Sequence, residues 1–455
     1  MTGPQVVAHG IGQVQDLPIP AWLFYTGAVA VLLVSFLVLG LLWRRPLLAG
    51  HELGRALPEG FSRLLLGPGR VVLQAVSVVL FALVLAAALL GDTDPFSNLA
   101  PTWVYVVFWL GLPALSVLLG NVWRALSPWR ALADVFVALL ELGGREAKPL
   151  AVYPERLGRY PAAATLLAFV ALELVYADPA SPRSLAFAIA LYTYVTLFGM
   201  AAFGRETWER HGEGFAVLFE RFSRIGPFFA RDRQARVRWP LTGLAGAEPM
   251  PGSLAFVAVM LGSVLFDGYS RTTTWQDLAA RVESPFIVDQ PGLGELLVTL
   301  LSLGGLLTAI ALVAGAYAAA CAVARWSVNA PRSLVPEFLR SLVPIAFVYV
   351  VAHYFSLFVL QGQFVIPLLS DPLGRGWDLL GTADVVPDLS VISPTTTWYV
   401  QVGALVVGHV AGLAIAHDRA VSVFPSRRDA LRSQVPMLGL MVLYTCGGLW
   451  VLSRG

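Results

Sequence analysis

Long apolar runs alternate with polar segments over the whole chain. A bilayer core needs about 20 residues of helix, and this length is met or approached at residues 21–43, 71–91, 102–120, 161–177, 184–203, 251–267, 293–320, 342–368, 397–416 and 434–452. The seventh and eighth runs are long enough to tilt or kink. The sixth is the weakest, strongly apolar only from Leu254 to Phe266. The pattern predicts an all-α integral membrane protein: a bundle of about ten transmembrane helices forming a single polytopic domain over residues 1–455.

Charge supports this reading and orients it. Of the 31 basic residues, 26 fall in segments 44–70, 121–160, 204–250, 321–341 and 417–433, which alternate with nearly base-free segments holding only Arg183, Arg271, Arg281, Arg375 and Arg454. Cytoplasmic loops carry the Arg/Lys excess, so the expectation is a multi-pass protein of a bacterial plasma (inner) membrane with both termini outside. The alternation also requires the weak sixth span. With 57% apolar and 13% charged residues, the chain lies outside the soluble range. The bilayer is its expected partner, and nucleic acid is not, since the bases are spread over membrane-proximal loops. Lys148 is the only lysine, an arginine bias that fits a GC-rich bacterial genome. Cys321 and Cys446 lie in apolar spans and suggest buried small residues rather than a disulfide framework. Residues 1–20 lack the basic, apolar and cleavage regions of a signal peptide.

Inside, Glu206 to Ile225 is charged early and then apolar at Phe215, Leu218, Phe219 and Phe222, which predicts an amphipathic helix lying in the cytoplasmic interface. Trp123-Arg124 and Trp129-Arg130 begin a repeated Trp-Arg-Ala-Leu unit, expected to anchor at the interface or to hold a lipid headgroup. Outside, the acidic segments 268–292 and 370–396 are expected to fold over the mouth of the bundle, as a solvated cap or as functional loops. There Asp267 with Arg271 and Asp371 with Arg375 mark either a small-molecule entrance or helix-end turns. Ten spans would suit a five-plus-five inverted repeat, although the halves share no visible sequence similarity.

Ionisable residues at membrane depth are functional-site candidates. His353 falls near the middle of the eighth span, His409 near the middle of the ninth, and Glu173 in the outer half of the fourth. His417, followed by Asp418 and Arg419, is expected at the interface. If His353 and His409 are level on antiparallel helices, so are Gln361 and Gln401, each eight residues from its histidine. Each glutamine is then about 80° round the helix and about 12 Å further out. Gln363 extends the line, Tyr354 and Tyr399 flank it, and Gly408 and Gly412 permit close helix approach. One reading is an outward-facing polar cavity ending in a histidine pair that relays protons, passes a solute, or binds a metal ion or haem iron. The other is interhelical hydrogen bonding alone. A zinc site would want a third ligand, which Glu173 could supply, but alone it fits an interhelical hydrogen bond as a neutral acid.

No phosphate-binding loop, nucleophile elbow, His-Glu-x-x-His or CxxC motif is present. A resemblance does emerge from Ala8-His9-Gly10, Gln15-Asp16, Pro20 and Trp22, from Gly120-Asn121-Val122-Trp123-Arg124 with Pro128-Trp129-Arg130, and from Leu265-Phe266-Asp267-Gly268. Ala352-His353-Tyr354, Gln361-Gly362-Gln363, Trp398-Tyr399-Val400-Gln401, Gly408-His409 and Ala416-His417-Asp418-Arg419 extend it. Over nearly its whole length the chain resembles a family of polytopic actinobacterial membrane proteins labelled fenitrothion hydrolase. The resemblance implies phosphotriester cleavage, with metal-activated water as the chemistry, and assigns no catalytic residues. Members begin with a signal-like segment ending just before the Ala-His-Gly motif, for which this chain starts too late, so that either its start is misassigned or the short tail crosses unaided; cleavage of such a segment before His9 would expose that histidine as an amino terminus able to bind copper. Three readings follow: a protein that handles a small solute, proton or metal through the cavity, an organophosphorus ester hydrolase, and a non-catalytic subunit of a membrane complex.

Overall fold

The computed structural model describes residues 21–51, 53–144, 146, 148–246 and 250–454; His9 and the rest of 1–20 lie outside them. In chain order the principal helices are α1 (Ala21–Leu42), α2 (Glu59–Leu90, broken at Gly67), α3 (Leu99–Leu119), α4 (Pro128–Leu142), α5 (Tyr160–Leu174), α6 (Pro182–Phe203) and α7 (Arg205–His211). They continue with α8 (Gly214–Ser223), α9 (Ser253–Ser270), α10 (Thr273–Glu283), α11 (Pro291–Ser327), α12 (Val335–Ser370), α13 (Pro394–Val423) and α14 (Arg427–Arg454). Among the described residues eight are long and apolar enough to cross a membrane: α1, α2, α3, α6, α9, α11, α12 and α13. The fourth predicted span is the shorter apolar helix α5, and the tenth lies within α14, whose first turns are charged.

Local chemistry sets the helix starts. Ser127, Ser181 and Ser393 each accept a hydrogen bond from a backbone N–H three residues on, and each precedes a proline in the first turn. Outward faces stay apolar, with exposed Leu33, Leu37 and Leu41 on α1 and Phe187, Leu191, Tyr194 and Phe198 on α6. Apolar stripes this extensive would expose a soluble protein to association; in a bilayer they face lipid. Only 17% of the apolar window is buried in α1 and in α11, against 72% in α9 and 61% in α12. The weak hydropathy of the sixth predicted span is thereby explained, because α9 is wrapped by protein.

α12 packs along α13 at backbone distance. A Cβ on Gly408 would stand 2.1 Å from Val348, and one on Gly412 would stand 2.8 Å from the Ser341 carbonyl oxygen. Small residues at these points let the helices close.

The five base-rich segments gather on one face. Asp418 accepts from Trp43 Nε1 at 3.2 Å and from the Leu47 and Leu48 amides at 2.6 and 3.0 Å. Arg419 Nε donates to Glu337 at 2.7 Å, and Arg340 donates to the Ala245 carbonyl. Arg130 pairs with Glu206 at 2.5 Å and with Glu209, and Arg70 reaches Asp134 at 3.1 Å. A small antiparallel sheet, an addition to the expected all-α fold, joins β1 (Arg55–Ala56) to the hairpin β2 (Phe228–Arg231) and β3 (Gln234–Val237) in the order β1-β3-β2. Asp232 and Arg233 both take positive φ at its tip, as a two-residue primed turn requires.

Several expectations need correction here. Residues 206–225 are not an interfacial amphipathic helix. They form α7 and α8, and α8 is buried over almost its whole circumference against α3, α5 and α12. Trp123 and Trp129 are core residues rather than lipid anchors, donating to Glu213 at 3.3 Å and Thr193 at 2.9 Å. His417 is buried, bonded to Gln434 at 3.0 Å and to the Trp43 carbonyl at 2.9 Å, so it ties helices together instead of meeting the interface. Segment 268–292 carries α10, which packs on α11 through Trp275, stacked edge-on against Phe266 and Tyr269.

Glu213 caps α8, accepting from the Phe215 and Ala216 amides, Trp123 and Tyr192. Burial pushes its carboxyl from 4.5 up to about 7. A raised carboxyl favours the folded state fully below its unfolded value, and this contribution disappears as pH climbs through about 7. The detergent-solubilised melting temperature should therefore fall between pH 5 and 8, by less in Glu213→Gln, the lost contribution being at most roughly 3 kcal/mol. Gly408→Val should cost about 1–3 kcal/mol by forcing α12 from α13, whereas Gly403→Ala, with no atom within 4 Å of its added carbon, should leave the melting temperature unchanged.

Candidate functional site

The two most enclosed helices, α9 and α12, carry a group of buried polar side chains away from the base-rich face. Asp267 lies one turn before the end of α9, in helical phase with Phe266, and is 2% exposed. Its Oδ2 accepts from His353 Nε2 at 2.5 Å and from the Tyr354 hydroxyl at 2.9 Å. Its Oδ1 accepts from Arg271 at 3.1 and 3.2 Å. His353 and Tyr354 are neighbours on α12 with ring planes at 89°, so one carboxylate oxygen receives two different helix faces. The Tyr354 hydroxyl also lies 3.3 Å from Glu173 Oε1 on α5. The indole N–H of Trp109, without a full hydrogen bond of its own, lies beside the Glu173 carboxyl. Trp109 belongs to a π-helical stretch, Trp103–Gly111, within α3, and such wide turns recur at functional sites.

Proton counting makes this cluster chemically special. A phenol has one proton to donate, yet Tyr354 bridges two carboxyl groups. If it donates to Asp267, the bond to Glu173 needs a proton from Glu173; if it donates to Glu173, Asp267 must supply one. Both contacts can be full hydrogen bonds only when one of the two carboxyl groups carries a proton. Arg271 balances one ionised carboxylate, and its side chain is 18% exposed, so the cluster reaches the protein surface through it.

The predicted histidine layer does not form. Because Gly408 abuts Val348, His409 lies level with that part of α12, and His353 sits about five residues, or about 8 Å, further along the axis. His409 instead donates from Nδ1 to the Leu405 carbonyl at 2.7 Å and packs its ring on Tyr349, while its Nε2 has no partner among the described residues. The two imidazoles thus do not converge on a shared metal or haem iron. Among the described residues no group of three histidine, cysteine, aspartate or glutamate side chains has a metal-holding arrangement.

The other candidate residues disperse. Gln401 is buried on α13, and Gln361 is half-buried at the end of the long α-helical part of α12. Gln363 does not extend a polar line in a cavity; it exchanges two hydrogen bonds with the Asp388 backbone, at 2.9 and 3.0 Å, and so pins the loop after α12. Tyr399 is exposed. Of the four residues assigned to the mouth, Asp267 and Arg271 belong to the buried cluster. Asp371 caps a local turn through the Arg375 and Gly376 amides, and Arg375 donates to the Leu90 carbonyl at 3.0 Å. In place of an open cavity, Val264, Leu265, Tyr349, Ala352, His353, Leu405 and Gly448 enclose about 20 Å³, room for one water molecule.

Sequence reasoning found Glu173 and His353 separately, set Asp267 at the water boundary, and gave Tyr354 only a flanking place. A signal was available: Asp267 continues the apolar helix one residue beyond Phe266, with an arginine four residues on, the spacing of an ion pair on one helix face.

The chain matches no family model, and no curated protein or solved structure is significantly similar to it.

A protonated carboxyl in this cluster would have a spectroscopic signature. Infrared spectra at neutral pH should show the carbonyl band of a protonated carboxylic acid in a water-poor setting. Glu173→Gln or Asp267→Asn should remove it, and Tyr354→Phe should shift it by removing its hydrogen bond. An unchanged band in all three variants would refute the bridged cluster.

Proposed function

We propose that this chain is a multi-pass membrane protein whose central activity is proton handling at the Glu173–Tyr354–Asp267–His353 cluster, coupled to the passage of a small solute. The observation that carries the reading is the single tyrosine hydroxyl shared by two buried carboxyl groups. Ionisable chains of this kind inside a bilayer are the means by which pumps and transporters relay protons. Arg271 connects the relay to the outer side, and the histidine provides the next acceptor. In this reading ten helices cross a bacterial plasma membrane with both termini outside. The bonding of the five base-rich segments to one another on one face supports that topology, and the positive-inside rule makes the face cytoplasmic.

A second reading, the organophosphorus ester hydrolase, has one observation in its favour. His353 is held by a carboxylate, as in general-base dyads, and it borders a space sized for one water. That space is too small for an aryl phosphotriester in this conformation, and no metal-holding set accompanies it among the described residues. The third, a non-catalytic subunit, predicts that cluster variants alter stability alone.

Proteoliposomes loaded with a pH-sensitive dye and energised by a potassium diffusion potential separate these readings. Proton entry should exceed that of empty vesicles and fall at least about tenfold in Asp267→Asn, with the variant still monodisperse. Flux equal to empty vesicles would sink the proton-handling proposal. Nitrophenol release from a fenitrothion-type ester, lost in His353→Ala, would install the hydrolase instead.

A further inference from the structure

On the base-rich face, the N-termini of α5 and α9 meet the C-terminal part of α8. Arg159 precedes α5 and is 6% exposed; Arg221 projects from α8 and is 4% exposed. Both guanidinium groups turn to one hydroxyl, Ser253 Oγ at the start of α9, at 3.3 and 3.5 Å. Neither forms an ion pair among the described residues, and the Nε of each is buried without a partner. Arg130 is the contrast, equally buried but held by two glutamates.

The arrangement is built by backbone contact. The Arg159 amide donates to the Pro251 carbonyl at 2.8 Å. Gly158 and Gly252 both have positive φ, and a Cβ on either would come within 2.4 Å of the facing backbone, so only glycine fits. Burial lowers the Arg159 guanidinium to about 10, and Glu220, Arg224 and Arg210 also act on it, in that order; it stays charged at neutral pH. Glu220, the acidic group among these, is taken by Arg224 at 2.5 Å.

Two buried cations with five N–H donors each converge beside two helix N-termini with no ion-pair partner among the described residues, an arrangement costly in a protein interior and suited to a tetrahedral anion. We propose that Arg159, Arg221 and Ser253 bind one phosphate group, carried by an anionic phospholipid headgroup or by a soluble phosphate. Basic pockets between membrane helices on the cytoplasmic side recognise headgroups by the same chemistry.

The test uses the full chain, delipidated in detergent, with its melting temperature as readout. Phosphatidylglycerol is compared with diacylglycerol of the same acyl chains, and sodium phosphate with sodium chloride at equal ionic strength. A rise with phosphatidylglycerol alone, at least halved in Arg159→Gln and Arg221→Gln, assigns a lipid site. A rise with inorganic phosphate, lost in the same variants, assigns a soluble phosphate. Without either anion the variants should melt no lower than the parent, since an unpaired buried charge has been removed. Should they fail to fold, Ser253→Ala keeps both arginines and should weaken the response. If neither anion raises the melting temperature beyond its control, or if the variants respond as the parent does, the site is refuted.

Discussion

The approach of α12 to α13 through Gly408 and Gly412 is the contact on which the arrangement of the bundle depends. Two glycines bring the helix backbones together and fix their axial register, because a slip of even one residue would drive a Cβ into Val348 or into the Ser341 carbonyl. That register presents His353 and Tyr354 to α9 rather than to His409. Close packing, not polar affinity, thus decides which ionisable groups meet. The remaining helices grade outward from this pair, from the enclosed α9 to α1 and α11, whose surfaces belong to lipid.

The two ends of the bundle solve the burial of polar groups differently. On the base-rich face the loops are knotted to one another: Asp418 gathers the chain after α1, Arg419 holds Glu337, and Arg130 clamps α7. Beneath them α8 lies among rings, with Phe215 and Phe219 packed edge-on against Phe108. Toward the other face the polar groups are few, lie on different helices and meet around Asp267 and Tyr354. The first design gives rigidity through many satisfied partners. The second places a chemically labile bond where the surroundings are dry.

Much of this architecture is legible in the sequence, for a physical reason. Lipid demands uninterrupted apolar helix, so spans announce themselves, and the positions of 26 arginines and lysines anticipate the segments that cluster on one face. The site is less legible. Phe215, Leu218, Phe219 and Phe222 recur at helical spacing whether they meet lipid or protein, and what covers α8 includes α12, more than 100 residues later. The depth of His353 can be read from its span, but its neighbour cannot, because antiparallel register is set by a glycine contact that leaves no charge or periodicity behind. Asp267 was misplaced for the converse reason: a carboxylate just past an apolar run reads as the water boundary unless its shielding is known.

The pairing of Asp267 with Arg271 on the same face of α9 also bears on how such a chain enters a membrane. Helices emerge in order, and α9 is delivered before α12 has been synthesised, so His353 and Tyr354 do not yet exist to receive the carboxylate. An arginine one turn away travels with it and neutralises it within the nascent helix. The least apolar span can thus be inserted as a self-compensated unit and later exchange part of that local pairing for its permanent partners. In the order of synthesis, the ion pair with Arg271 is thus older than the bonds that Asp267 makes to His353 and Tyr354.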